Sequence, residues 1–223
     1  MNAPMSDRSL VTPGTRLRVR RLGEPIALFL GRLGLTPNAL TMLGFLITIA
    51  GAGLLAAQQW LVGGLVVFGG GVFDLVDGSL ARATGRVSPL GAFMDSVFDR
   101  WGEAVVYVGI AVGAVVAGLG AMAALAAATM AAAFMVSYVR AKAEGLGFTA
   151  GAGMAQVGLM PREVRLVVLT VGLAWGGLVG VGPMDLAAGA LVIEAALGLI
   201  AVLATITVIQ RILHVRAQAR QAT

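Results

Sequence analysis

The chain has 223 residues, 58% of them hydrophobic and only 12% charged, and its mean hydropathy of +0.91 lies far above that of soluble globular domains. That balance excludes a water-soluble enzyme, and no nucleic-acid partner is expected despite a formal charge of +5. The sequence lacks cysteine, which excludes disulfides and thiolate metal sites, and its lone His214 argues against a histidine-based zinc centre.

About six apolar spans of ~20 residues fit this length, so the expected fold is an all-α integral membrane protein of one domain. Residues 1–35 form a basic segment with no apolar run that would mark a cleaved signal peptide. Within it, residues 14–33, "GTRLRVRRLGEPIALFLGRL", predict an amphipathic helix lying on the membrane surface. Its arginines face anionic headgroups, and Leu28, Phe29, Leu30 and Leu33 enter the acyl boundary.

Six spans follow, at about 38–57, 59–82, 91–118, 120–141, 163–180 and 186–211, making residues 36–212 the membrane domain and 213–223 a short tail. Pro37 opens the first span, where its missing N–H costs nothing. The stretch 145–161, "GLGFTAGAGMAQVGLMP", reads as a glycine-rich, mobile linker between the fourth and fifth spans. All 16 Lys and Arg fall on the side shared by both termini and the second-to-third and fourth-to-fifth loops. The positive-inside rule puts that side in the cytoplasm of a multi-pass cell-membrane protein.

Against this apolar background, residues 73–100, "FDLVDGSLARATGRVSPLGAFMDSVFDR", hold four aspartates. Asp74 and Asp77 are three apart near the end of the second span, and Asp95 and Asp99 are four apart near the start of the third. On helices each pair shares one face. A short loop joins the two helices, which predicts antiparallel neighbours with facing pairs. Four converging carboxylates repel one another unless cations neutralise them. Two divalent cations cancel their charge, and an all-oxygen donor set suits Mg²⁺ or Mn²⁺. Paired metals on shared carboxylates make a clamp for phosphoryl chemistry. Gly78 and Gly91 permit close approach of a ligand, Ala81 keeps its helix face slim, and Arg82 offers a fork for a phosphate oxygen.

The pattern D-x2-D-G-x2-A-R-x8-G-x3-D-x3-D, met here by Asp74, Asp77, Gly78, Ala81, Arg82, Gly91, Asp95 and Asp99, resembles the signature of the CDP-alcohol phosphotransferase family. The resemblance implies displacement of CMP from CDP-diacylglycerol by an alcohol hydroxyl at the membrane surface, in a homodimer. It implies that Asp74, Asp77 and Asp95 hold the metals and that Asp99 completes their shell or serves as the base. Gly78, Ala81, Arg82 and Gly91 would border the cytidine diphosphate. Glu103 continues the Asp95–Asp99 stripe outside the family pattern and is expected beside the site or in solvent; Arg86 and Arg100 have no role that the sequence supplies.

Arg140 and Lys142 end the fourth span, Arg162 and Arg165 open the fifth, and Arg211 closes the sixth. Such a basic cluster suits an acceptor that carries its own phosphate and repels choline or ethanolamine. The segments "SYVRAKAEG" and "PREVRL" are similar to the phosphatidylinositol-phosphate synthase branch, whose acceptor is inositol 1-phosphate. That branch commonly carries Glu-Arg-Pro-Glu-Arg where this chain has Met160, Pro161, Arg162, Glu163, Val164 and Arg165, so glycerol 3-phosphate stays open as acceptor. From another class, intramembrane carboxylates also serve cation transporters, but those sites lie near the midplane and often within repeats, and no repeat is present here.

Overall fold

The computed structural model describes residues 25, 27–148, 157–180 and 186–222. Arg8, Arg16, Arg18, Arg20 and Arg21, most of the expected surface helix, the centre of the glycine-rich linker and the loop 181–185 lie outside the described residues. Of the surface helix, residues 27–32 are described and helical, with Leu28 and Phe29 exposed.

Six helices follow: α1 (Pro37–Ala56), α2 (Trp60–Ala83), α3 (Pro89–Val116), α4 (Gly120–Gly145), α5 (Arg162–Val179) and α6 (Leu186–Ala222). Two starts are fixed by local chemistry. Thr36 caps α1 by accepting from the Ala39 N–H, and Ser88 caps α3 by accepting from the Gly91 N–H, each just before a proline at the first helical position. The Ser88 cap is why α3 begins ahead of the apolar run that starts near residue 91. α6 spans 37 residues, about 55 Å, and continues past the last apolar stretch because its Ala, Gln and Arg residues sustain a helix in water.

α1, α2, α4 and α6 are long and apolar enough to cross a membrane. The other two are more heavily charged: any membrane-length stretch of α3 contains Asp99, Arg100 and Glu103, and α5 opens on Arg162, Glu163 and Arg165. Among the described residues every regular element is a helix, and large apolar side chains such as Leu46, Leu65, Val115, Leu191 and Val202 face outward. An outer surface of this kind needs lipid around it. The chain is an all-helical, multi-pass membrane protein.

The packing closes into a ring. α1 packs on α2 and α3, α2 on α5, α5 on α6, α6 on α4, and α4 back on α3. One apolar cluster takes residues from all six helices, including Leu55, Val67, Tyr107, Met122, Leu173 and Leu197. α2 and α3, expected to pack as neighbours across their short loop, do not pack along their lengths among the described residues; α1 lies against both. The ring thus leaves an interior bordered by α1, α2, α3 and α5. A cavity of about 40 Å³ occupies part of it, between Thr48, Gly71, Glu103, Tyr107, Arg162 and Arg165.

Close approach of α3 to α1 depends on two glycines. A Cβ at Gly109 or Gly113 would collide with the backbone carbonyl oxygen of Ala52 or Leu55, nearer than van der Waals contact allows, and backbone cannot step aside. Gly109→Ala is therefore expected to lower stability by about 1–3 kcal/mol through overpacking. Gly53→Ala, where an added Cβ meets nothing within 4 Å, serves as the control. Thermal unfolding in detergent checks this: a fall for Gly109→Ala with no fall for Gly53→Ala is the expected result.

Candidate active site

The four aspartates enter the ring interior from its two sides, Asp74 and Asp77 on α2 and Asp95 and Asp99 on α3. Asp74 and Asp99 meet at Arg162, the first residue of α5. Its Nη2 donates to Asp74 Oδ2 at 2.6 Å and its Nη1 pairs with Asp99 Oδ1 at 2.8 Å. One planar guanidinium therefore bridges carboxylates of two helices that do not pack on each other. Asp77 is buried and accepts a hydrogen bond from Thr41 Oγ1 on α1, so the third helix of the interior also holds a carboxylate in place. Asp95 is half-buried, one turn ahead of Asp99.

A second ionic layer lies one helical turn deeper. Glu103 receives Arg165 Nε at 2.7 Å on Oε1 and Arg165 Nη2 at 2.9 Å on Oε2, a bidentate pair with side-chain exposures of only 10% and 2%. Arg165 spends its remaining Nη1 on the Met160 carbonyl at 2.9 Å. Arg100 joins the two layers, with Nη2 3.4 Å from Asp99 Oδ2 and Nη1 3.5 Å from Glu103 Oε2, and it also donates to Ser137 Oγ on α4. Glu103 is thus not in solvent, the second of its two expected placements, because two guanidiniums supply the charge that lets a carboxylate be buried.

The motif glycines are not demanded by packing. A Cβ at Gly78 would meet Arg82 Nη1 at 3.4 Å, and one at Gly91 would meet Ser88 Oγ at 3.1 Å, with no backbone near either. Their missing side chains keep space open on the loop side of the aspartates. Arg82 is exposed there, with Nη2 donating to Ser79 Oγ at 3.2 Å.

The basic residues expected around the same mouth divide by what they touch. Arg162 is in the carboxylate cluster and Arg165 directly beneath it. Arg140 is exposed and pairs with Glu144 at 2.9 Å on its own helix, near exposed Lys142. Arg211 is buried, its Nε on the Val157 carbonyl at 2.9 Å and its Nη1 on the Val136 carbonyl. With Thr207, whose Oγ1 accepts from the Leu159 and Met160 N–H groups at 3.1 Å, it fixes the segment leading into α5.

Among the described residues no three carboxylate or histidine side chains already stand as a metal-binding group. The donor chemistry nevertheless fits a divalent cation. The set is all oxygen, it is drawn from two helices, and two of its members already share one cationic group. Thr41 and Arg100 carry no sequence signal that marks them as parts of this site, whereas Glu103, the next step of the four-residue stripe Asp95, Asp99, takes the first of its two expected placements.

A family model described as CDP-alcohol phosphatidyltransferase matches residues 34–207. The archaetidylinositol phosphate synthase of Pyrococcus horikoshii is 32% identical over 204 residues, covering 92% of this chain and 94% of that protein. The crystal structure of Mycobacterium tuberculosis phosphatidylinositol phosphate synthase with CDP-DAG bound superposes with a TM-score of 0.73 at 30% identity, over 87% of this chain and 94% of that one. The same mycobacterial enzyme in complex with manganese and citrate gives a TM-score of 0.70 at 29% identity, over 86% of this chain and 88% of that one.

Arg162→Gln leaves Asp74 and Asp99 without their shared counter-charge, and the expected loss is about 2 kcal/mol or more. Unfolding measured with chelator present should show that loss, and millimolar Mg²⁺ should restore much of it. Equal stability of the variant and the parent chain in chelator would contradict the bridging role.

Proposed function

The chain belongs to the CDP-alcohol phosphatidyltransferase family, and on that premise we propose that it transfers a phosphatidyl group from CDP-diacylglycerol to inositol 1-phosphate with release of CMP. It is an enzyme of phospholipid synthesis, a CDP-alcohol phosphotransferase, rather than a cation transporter. The observation that carries the reading is the eight-position motif with its two carboxylate pairs joined through Arg162. Similarity to an archaetidylinositol phosphate synthase and a phosphatidylinositol phosphate synthase supports inositol 1-phosphate over glycerol 3-phosphate as the acceptor of this chain.

In this reading Asp74, Asp77, Asp95 and Asp99 would hold two divalent cations, Mg²⁺ or Mn²⁺, as the manganese complex of the mycobacterial relative supports. When bound, they supply the Lewis-acid charge that polarises the diphosphate and stabilises departing CMP. The chain's own groups do the rest. Gly78, Ala81, Arg82 and Gly91 border the cytidine diphosphate, with Arg82 offering its guanidinium to a phosphate oxygen. The acceptor oxygen forms a bond to the lipid-bearing phosphorus as the bond from that phosphorus to CMP breaks. Asp99 takes the hydroxyl proton, a step that parting of its Oδ1 from Arg162 favours by raising the carboxylate's basicity. Arg162, Arg165, Arg140, Lys142 and Arg211 form the basic surround for the acceptor phosphate, Arg162 by direct contact and the buried Arg165 and Arg211 by shaping its wall.

The finer architecture belongs to the same proposal. All six helices span the membrane, with residues 1–35 as a basic segment carrying the surface helix, 36–212 as the catalytic domain and 213–223 as the tail. Both termini and the aspartate mouth face the cytoplasm, where the basic residues concentrate. The active form is a homodimer in the cell membrane.

With CDP-diacylglycerol and Mg²⁺, inositol 1-phosphate should release CMP and glycerol 3-phosphate, serine and free inositol should not. Asp77→Asn and Asp99→Asn should each cut that release at least a hundredfold in folded protein. Release with glycerol 3-phosphate alone would overturn the acceptor, and full activity of either variant would overturn the site.

A further inference from the structure

α3 and α5 face each other across the ring interior, yet α5 packs along α2 and α6 and not along α3 among the described residues. Two ionic rungs cross between them. The upper rung is Asp99 with Arg162, and the lower is Glu103 with Arg165. The spacing is matched: Asp99 and Glu103 are four apart on α3, Arg162 and Arg165 three apart on α5, so each pair lies on one face of its helix. The cavity of about 40 Å³ lies beside the rungs, so the space there is not filled with packed side chains.

The two rungs differ in what else they touch. Asp99 and Arg162 remain 18% and 28% exposed at the mouth, and Arg162 is shared with Asp74. Glu103 uses both oxygens on Arg165, while Arg165 adds the Met160 carbonyl at the base of α5. Arg100 ties both Asp99 and Glu103 on to Ser137 of α4, so that link is common to the two rungs. The upper rung is therefore open to exchange, and the lower one is buried, bidentate and anchored at the entry to α5.

We propose that Glu103 is a positioning residue of the transfer reaction. Through Arg165 it holds the first turn of α5 against α3, so that Arg162 can leave Asp74 and Asp99 for an anionic acceptor while α5 stays at the site. This rests on the proposed reaction only in naming the acceptor as a phosphate-bearing alcohol. Glu103 touches no reacting atom; it sets the distance that Arg162 must reach.

The test avoids stranding one buried charge. Glu103→Gln with Arg165→Gln replaces the ion pair by two neutral amides that can still hydrogen-bond, and Glu103→Asp keeps the charge but shortens the reach. In the double variant, the KM for inositol 1-phosphate should rise tenfold or more while the KM for CDP-diacylglycerol stays within twofold. Glu103→Asp should fall between the double variant and the parent. Spin labels at exposed positions 93 and 167, on α3 and α5, give a second readout: in the double variant with Mg²⁺ their distance distribution should broaden or lengthen. An unchanged acceptor KM in folded double variant, or an unchanged label distance, overturns the positioning role. The distance readout needs no turnover, so a wrong reaction and a wrong role for Glu103 give different results.

Discussion

Four carboxylates in the interior of an apolar helix bundle must be answered by positive charge, and much of this structure follows from how that demand is met. Burying one uncompensated carboxylate is costly, and carboxylates brought together from two helices also repel one another. Arg162 meets part of the demand by bridging Asp74 and Asp99, and Arg100 adds a contact to Asp99. Arg165 meets it again at Glu103. A guanidinium carries one positive charge, so the quartet stays electron-rich even with Arg162 in place. In the proposed reaction that residual charge would draw harder, more highly charged cations and, through them, a diphosphate.

The ring of helices is what makes such a cluster possible. Had α2 and α3 packed along their whole length, as their short loop suggests, their aspartates would have pressed together with no room for a ligand. Instead α1 lies against both and fixes their separation, with Gly109 and Gly113 setting how closely α3 approaches. α5 closes the opposite side and delivers its arginines from its first turn. The segment before it is fastened by Thr207 and Arg211 of α6, so the position of α5 is also fixed from outside the aspartate helices. Residues far apart in the chain thereby act on one small volume.

Much of this was legible in the sequence because it is local. Spacings of three and four residues put each aspartate pair on one helix face, and the apolar runs gave helix positions close to those of α1 to α5. The departures have physical causes. A serine cap and a proline start α3 early, and α6 outruns its apolar stretch because a helix does not need lipid to continue. The long-range pairings were not legible. The bond from Arg162 to Asp74 joins residues 88 positions apart, and nothing in either neighbourhood specifies it. Thr41 carries no pattern that marks it as a partner of Asp77. Arg140, Lys142, Arg162, Arg165 and Arg211 looked alike as basic helix ends, yet they range from exposed at Arg140 and Lys142 to almost wholly buried at Arg165. Only packing separates them.

In the proposed reaction the aspartate quartet is a cation site which Arg162 partly satisfies. Manganese binding followed by electron paramagnetic resonance on the purified, detergent-solubilised chain tests it most directly. Two Mn²⁺ per chain, close enough to couple magnetically and lost in Asp77→Asn, is the predicted result. Absence of bound Mn²⁺ in the folded parent chain, or binding that survives the loss of Asp74, Asp77, Asp95 and Asp99 together, would contradict it.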